Sequence, residues 1–293
     1  MTSLLQVIIN GILLGSMYGI AAAGLSLIFG TMRIIFLAQG TVIVFFAFLV
    51  YWMFVKANID PYLSLLIIVP FAFLVGLGLF YVLFKRAVAL EDKNVSLLIA
   101  VGLMYLIENA ILKVWSASPR GLDIPYSSAV ISGWGLRIGW LRVALFGLAL
   151  LSGLIVFLFL QKTRPGMAVR AAAEDIEATT LQGINSTWVC AVSFAVGIGL
   201  AGVAGVGMAT VYSFDYQFGF TFSLKALIAL SLGGIGNVFG ALAGGLILGI
   251  IENPTAYYLS ISWIEAVSYG VFILVLIFLP HGLFGKRGVV KKA

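Results

Sequence analysis

The chain alternates between long, nearly charge-free apolar runs and short polar or basic stretches. The runs are 4–30, 34–55, 61–84, 94–115, 138–161, 188–212, 223–236, 238–258 and 263–280. A helix rising 1.5 Å per residue needs about 20 apolar residues to cross about 30 Å of hydrocarbon. By that measure the pattern predicts about eight to nine membrane-spanning helices. The first run is long enough to tilt, or to end in a short separate helix. The run 223–236 is short and contains Lys225, which suits a half-helix better than a full crossing. The apolar runs lack the period-two alternation of a membrane barrel, so strands are not predicted. The expected fold class is all-α, a polytopic membrane helix bundle, with residues 1–293 as a single transmembrane domain.

Composition supports this. The 293 residues are 62% hydrophobic and 10% charged, where a soluble domain carries about 25% charged residues. There is too little polar surface to coat so much apolar surface in water. A soluble enzyme, a disordered chain and a secreted disulfide scaffold are excluded. Cys190 is the lone cysteine and His281 the lone histidine, which rules out an internal disulfide and leaves metal chemistry almost without ligands. No cofactor or metal is expected on the chain. Residues 1–10 carry no basic stretch, so the first run is expected to be a retained span and not a cleaved signal. The net charge of +6 lies in patches between spans and points to topology, not to nucleic acid.

Lysine and arginine set the orientation. One set of connections holds Arg33, Lys85, Arg86, Lys93, Lys162, Arg164, Arg170, Lys286, Arg287, Lys291 and Lys292. The other holds Lys56, Lys113, Arg120, Arg137 and Arg142. The richer side is expected to be cytoplasmic, with the N-terminus outside and the C-terminus inside; nine crossings satisfy this parity. Two loops are long. Residues 116–137 fall outside. Residues 162–187 fall inside, where Arg164-Pro165-Gly166 precedes an alanine-, glutamate- and arginine-rich stretch. Those residues favour helix, and proline with glycine before them suits a helix start. The expectation is one cytoplasmic helix over 167–181, closed by Gly183 as a C-terminal glycine cap.

Thirty-four glycines exceed the usual share of roughly 7%. Gly11, Gly15 and Gly19 are spaced four apart, as are Gly240 and Gly244, and Gly245 and Gly249. Small residues at that spacing let helix backbones approach closely in lipid. Tight bundle packing is the plain reading; sliding or rocking of these helices during transport is the sharper one. Gly233-Gly234-Ile235-Gly236-Asn237 interrupts the apolar pattern. It reads either as a tight turn between two spans or as a helix break facing a solute path.

Ionisable groups at membrane depth are costly, at least about 2.5 kcal/mol at the bilayer centre, and usually mark pathways. Glu108 and Asn109, Lys225, and Glu252 and Asn253 lie inside apolar runs, and Glu265 lies near a run's start. Proximity to headgroups accounts for Lys225, Glu252 and Glu265 equally well; Glu108 is deeper. No catalytic constellation is present, and no G-x-x-x-x-G-K-[S/T] phosphate loop. If transport is ATP-driven, the motor is another polypeptide.

Taken in order, several segments resemble the permease subunits of branched-chain amino acid type ABC importers. They are Asn10-Gly11-Ile12-Leu13-Leu14-Gly15-Ser16-Met17-Tyr18-Gly19-Ile20, Phe29-Gly30-Thr31-Met32-Arg33, and Thr163 to Ala171 with Asp175, Ala178, Gly183 and Ile184. Then follow Leu224-Lys225-Ala226 with Gly233-Gly234-Ile235-Gly236, Gly240 to Glu252, and Pro280-His281-Gly282-Leu283-Phe284-Gly285. The resemblance implies an ABC importer permease fold and a multi-subunit importer. Its parts are a second, related permease chain, two ATPase subunits that carry ATP and magnesium, and a periplasmic or surface-attached solute-binding protein, all in the bacterial inner membrane. It also implies that Arg170, Ala171, Glu174, Asp175, Ala178 and Gly183 couple the chain to an ATPase. Tyr18, Gln39, Glu108, Asn109, Lys225 and Glu252 are the candidate path residues, and Gly11, Gly15, Gly19, Gly240, Gly244 and Gly249 the candidate packing residues. Where the family carries Asn-Phe-Ala-His-Gly, this chain has Phe36-Leu37-Ala38-Gln39-Gly40. If that stretch touches solute, a urea-like, amide or aromatic carboxylate solute competes with an aliphatic amino acid. A secondary transporter or a channel for small polar solutes is the rival function.

Overall fold

The computed structural model describes residues 2–89, 93–133, 136–279 and 281–285. Lys286, Arg287, Lys291 and Lys292, used above for orientation, lie outside the described residues, as does Pro280 of the closing motif. Lipid offers no partner for backbone polar groups, so every traverse is helical. The helices are α1 (Thr2–Met32), α2 (Gln39–Ala57), α3 (Leu65–Leu79) with α4 (Lys85–Ala89), α5 (Lys93–Trp115), α6 (Trp140–Lys162), α7 (Arg164–Glu174) and α8 (Ile176–Leu181). They continue with α9 (Ser186–Val211), α10 (Phe218–Gly233), α11 (Val238–Tyr258) and α12 (Ile264–Phe278). Among the described residues, eight helical spans are long and apolar enough to cross a membrane; α10 is shorter.

The first run is one continuous helix, with no separate terminal piece. The third span continues from α3 into α4 through a π-helical turn at Phe80–Phe84. That turn directs Phe80 and Phe84, both fully buried, against Phe194 of α9. One strand pair does occur, in the long loop before α6: Val130–Gly133 pairs antiparallel with Leu136–Gly139. The all-helical expectation holds for the spans and needs that correction in the loop.

α1 starts at the hairpin end, where Gln6 Nε2 donates to the Arg137 carbonyl at 3.0 Å. The last described residues lie at the opposite end, where Leu283 and Phe284 donate their amides to the Leu232 and Gly233 carbonyls at 2.9 and 3.2 Å. α9 finishes near the hairpin end, since Phe214 just beyond it pairs with Arg120. α11 begins at the α7 end. The 16 residues of α10 therefore join the two ends, although they rise only about 24 Å. The remaining distance is covered by the non-helical lead-in 212–217.

α1 and α9 occupy the middle of the bundle and are buried through most of their length. α9 reaches that position through its glycines. A Cβ on Gly197 would meet the Gly24 carbonyl at 2.8 Å, one on Gly202 the Ala72 side chain at 2.9 Å, and one on Gly205 the Phe46 side chain at 2.7 Å. Close approach of backbones supplies the packing that hydrophobic drive cannot give in lipid. Away from the helix ends, the outward faces of α3 and α6 are apolar, as with Leu66, Leu74, Leu150 and Leu154, and so is that of α12 beyond Glu265 and Tyr269, as with Ile273 and Ile277.

Candidate functional site

The glycine spacing explains how the site is built. On α1, Cβ atoms at Gly11, Gly15 and Gly19 would meet the carbonyls of Gly249 (2.6 Å), Gly245 (2.5 Å) and Leu242 (2.8 Å) on α11. The two backbones lie directly on each other over about two turns. Gly240 and Gly244 face the other way, against Gly233 and Ala229 of α10. α11 is thus wedged between α1 and α10, with a glycine face for each. The sequence Gly233-Gly234-Ile235-Gly236-Asn237 is a tight turn. Gly234 and Gly236 have φ of 105° and 80°, and Asn237 caps α11 by accepting from the Phe239 and Gly240 amides at 3.1 and 3.0 Å. A helix break facing a path is not what this stretch forms.

This arrangement brings Tyr18, Lys225 and Glu252 together near the midpoint of α1. Lys225 Nζ lies 2.8 Å from Glu252 Oε2. The Tyr18 hydroxyl donates to the same carboxylate oxygen at 2.8 Å and accepts from Lys225 at 3.2 Å. Lys225 also sits over the Tyr18 ring, 5.1 Å from its centroid. Ser268 of α12, fully buried, donates to Glu252 Oε1 at 2.7 Å. Lys225 and Glu252 thus form an ion pair between α10 and α11. Charges removed from water need both a counter-charge and hydrogen bonds to survive, and here both carboxylate oxygens are used. An aromatic column runs from Tyr212, just past α9, through Phe218 and Phe222 to Tyr18, with centroids 6.2, 6.2 and 5.5 Å apart.

Sequence reasoning missed Ser268, Phe222 and Tyr212. Ser268 carries a sequence signal, being the one serine within the apolar stretch Ile264–Phe278. The other candidates go elsewhere. Gln39 is fully buried at the start of α2, with its Nε2 3.5 Å from the Gly197 carbonyl and its Oε1 without a partner. Its neighbour Gly40 donates to Ser223 Oγ at 2.8 Å, and Ser223 donates to the Leu37 carbonyl at 2.6 Å. α10 therefore touches Gln39's helix and the ion pair, but Gln39 stands outside the network. Glu108 and Asn109 lie on α5, far from both; Asn109 donates to the Tyr105 carbonyl at 2.7 Å and is exposed.

At the α7 end the expected single helix over 167–181 is two. α7 begins at Arg164, so Pro165 and Gly166 lie inside its first turn, where Thr163 caps it by accepting from the Gly166 amide at 3.1 Å. Proline at a first-turn position loses no hydrogen bond. The chain then turns at Asp175, whose extended backbone (φ −152°) ends α7. Its carboxylate accepts from the Ala178 amide at 3.0 Å and starts α8. Gly183, φ 82°, closes α8 in the left-handed region. Val169, Ala172 and Thr179 are buried beneath the pair, while Arg170, Ala171, Glu174, Asp175, Ala178 and Gly183 are exposed. Leu181 is 90% exposed.

At the hairpin end, Tyr126 donates to Asp60 Oδ2 at 2.6 Å and stacks on Tyr62. Burial, then the bond to Asp60, pushes the Tyr126 phenol well above the usual range. The Tyr62 phenol is also raised, chiefly by burial. The described residues hold no cluster of histidine, cysteine and carboxylate suited to a metal.

The model of a family described as the permease component of branched-chain amino acid transport systems matches residues 7–278. The high-affinity branched-chain amino acid transport permease protein BraD of Pseudomonas aeruginosa is 31% identical, covering 98% of this chain and 97% of its own. LivH of Escherichia coli, of the same description, is 30% identical with the same coverage. A probable branched-chain amino acid permease of Methanocaldococcus jannaschii is 26% identical over 96% of this chain and 92% of its own. No solved structure matches.

Proposed function

The chain belongs to the permease-component family of branched-chain amino acid transport systems, and from that premise we propose that it is one membrane subunit of an ATP-driven importer. A second permease chain completes the path. A solute-binding protein delivers a small amino acid at the hairpin end, and two ATPase subunits carrying ATP and magnesium dock at the α7 end. The membrane is the bacterial inner membrane, with the α7 end in the cytoplasm. Phe36 bears on the solute. It is buried between Phe84 and Phe194, with centroids at 5.7 and 5.1 Å, as a core position. The change at position 36 thus gives no reason to leave branched-chain amino acids for a urea-like or aromatic solute, and it leaves Gln39 as the changed position that bears on the question.

The observation that carries the reading is the α7–α8 pair. Its buried face ties it to the spans, while the exposed one presents mixed charge and no apolar stripe of the kind that binds lipid. Preformed helices of this kind dock in grooves on partner proteins. Asp175 sets the angle between the two helices, so its loss changes the docked shape. Asp175→Lys is expected to uncouple ATP hydrolysis from uptake in reconstituted vesicles. Asp175→Asn, which keeps the cap, is expected to retain more coupling than Asp175→Ala, which gives up about 1 kcal/mol of capping. Gly183→Val strains a left-handed position by roughly 1–2 kcal/mol without any clash and is expected to uncouple with little change in melting. Unaltered solute moved per ATP in all of these variants, or uptake by the purified chain without an ATPase, overturns the reading.

A further inference from the structure

We infer that the outward seam of α5, formed by Leu98, Gly102, Tyr105 and Asn109 with Glu108 at its flank, packs against a second permease chain. This rests on the reading of the protein as one of two permease subunits, and it assigns the surface at which they meet. The four seam residues follow one another by four, three and four positions, the period of a helix–helix contact. All four are exposed on this chain. Tyr105 is 57% exposed, and a side chain at Gly102 would meet nothing within 4 Å.

Polarity separates α5 from the other peripheral spans. Away from their ends, the outward faces of α3 and α6 are hydrocarbon, as a lipid boundary requires; on α12 the exposed Glu265 and half-buried Tyr269 sit in the first two turns, and the face beyond them is hydrocarbon. α5 instead shows a carboxamide, a phenol and a half-buried carboxylate. Asn109 lies six residues before Trp115, about 9 Å below that end of the helix, and helical side chains tilt toward the N-terminus, which carries Glu108 deeper still. Lys113 forms no ion pair with Glu108. The bond from Asn109 to the Tyr105 carbonyl uses one of its two amide N–H groups. Acyl chains supply neither donor nor acceptor, whereas a neighbouring span does. The occupant is therefore a membrane-embedded helix that offers a hydrogen-bond donor to Glu108 and a polar partner to Asn109. Gly102, with no side chain, gives that helix room to approach.

A photoreactive benzophenone side chain placed at position 105 of the full chain, in the intact importer in native membranes, tests this. Irradiation is expected to give an adduct with a permease chain, while the same probe at position 151 of α6 gives lipid adducts alone. Lipid adducts alone at 105, with permease adducts from another span, overturn the α5 assignment and leave the two-subunit reading standing. Permease adducts from no span overturn both. An adduct at 105 with an unrelated protein also overturns the assignment. In parallel, Asn109→Leu is expected to lower recovery of the two-permease complex about fivefold without lowering the chain's abundance in the membrane. A lipid-facing Asn109 would make that substitution neutral or favourable, and such a result counts against the seam.

Discussion

Glu252→Leu is expected to lower sharply the recovery of a monodisperse permease, and pairing it with Lys225→Leu is expected to restore much of that loss. The carboxylate accepts from Lys225, Tyr18 and Ser268, so its removal strands an ammonium with 14% side-chain exposure. Breaking one side of a buried ion pair typically costs about 3–5 kcal/mol, whereas replacing both members by apolar side chains is often close to neutral. The melting order should be wild type, then the double variant, then Glu252→Gln, then Glu252→Leu. Glu252→Gln ranks above Glu252→Leu because its amide still accepts from Ser268. Uptake separates a path role from a structural one. The double variant is expected to fold yet move solute at least about tenfold more slowly, since a charged constellation at membrane depth is retained for function. Wild-type uptake by a folded double variant would reduce the pair to a brace among α1, α10, α11 and α12.

The constellation was only partly legible in the sequence. Lys225 and Glu252 stand out as charges inside apolar runs, but a headgroup location explains them equally well until α1 and α11 are placed backbone to backbone. Tyr18 enters through that packing and Ser268 through the approach of α12 to α11, 234 and 16 residues from Glu252 in the chain. No local period encodes such a meeting. The helix break at Asp175 was obscured for a different reason. Helix-favouring alanine and glutamate flank it on both sides, and the competing interaction is a single side-chain cap, a local bond that propensity averages away. The hairpin at 130–139 lies in a loop judged by the standard of membrane strands, which does not apply outside the bilayer. Residues 223–236 read as a short helix, and α10 is short; the sequence left out the non-helical residues that complete its traverse. The i, i+4 glycines were the clearest signal, because glycine in the middle of a helix is unfavourable unless something approaches it.

That last point makes the α1–α11 seam the most sensitive surface in the molecule. Gly245→Ala places a methyl group against the backbone of Gly19, and Gly249→Ala against Gly11 and Gly15. Neither neighbour is a flexible side chain that can move aside. The helices must part along their shared length, and overpacking of this kind costs about 1–3 kcal/mol, or more when backbone is the obstacle. Parting them also lengthens the 2.8 Å bond from Tyr18 to Glu252, because Tyr18 precedes the first of these contacts by one residue. Loss of packing and loss of the network should therefore arrive together. Gly245→Ala is expected to lower the melting temperature of the detergent-solubilised protein by several degrees and to reduce uptake in step. Gly245→Val should give no folded protein. Gly147→Ala on α6 is the matched control, because its new methyl meets nothing within 4 Å. Gaining helix propensity without a clash, it should hold or slightly raise the melting temperature. If Gly245→Ala melts and transports like Gly147→Ala, then α1 and α11 are not locked through their glycines, and the charged network must be held together by other contacts.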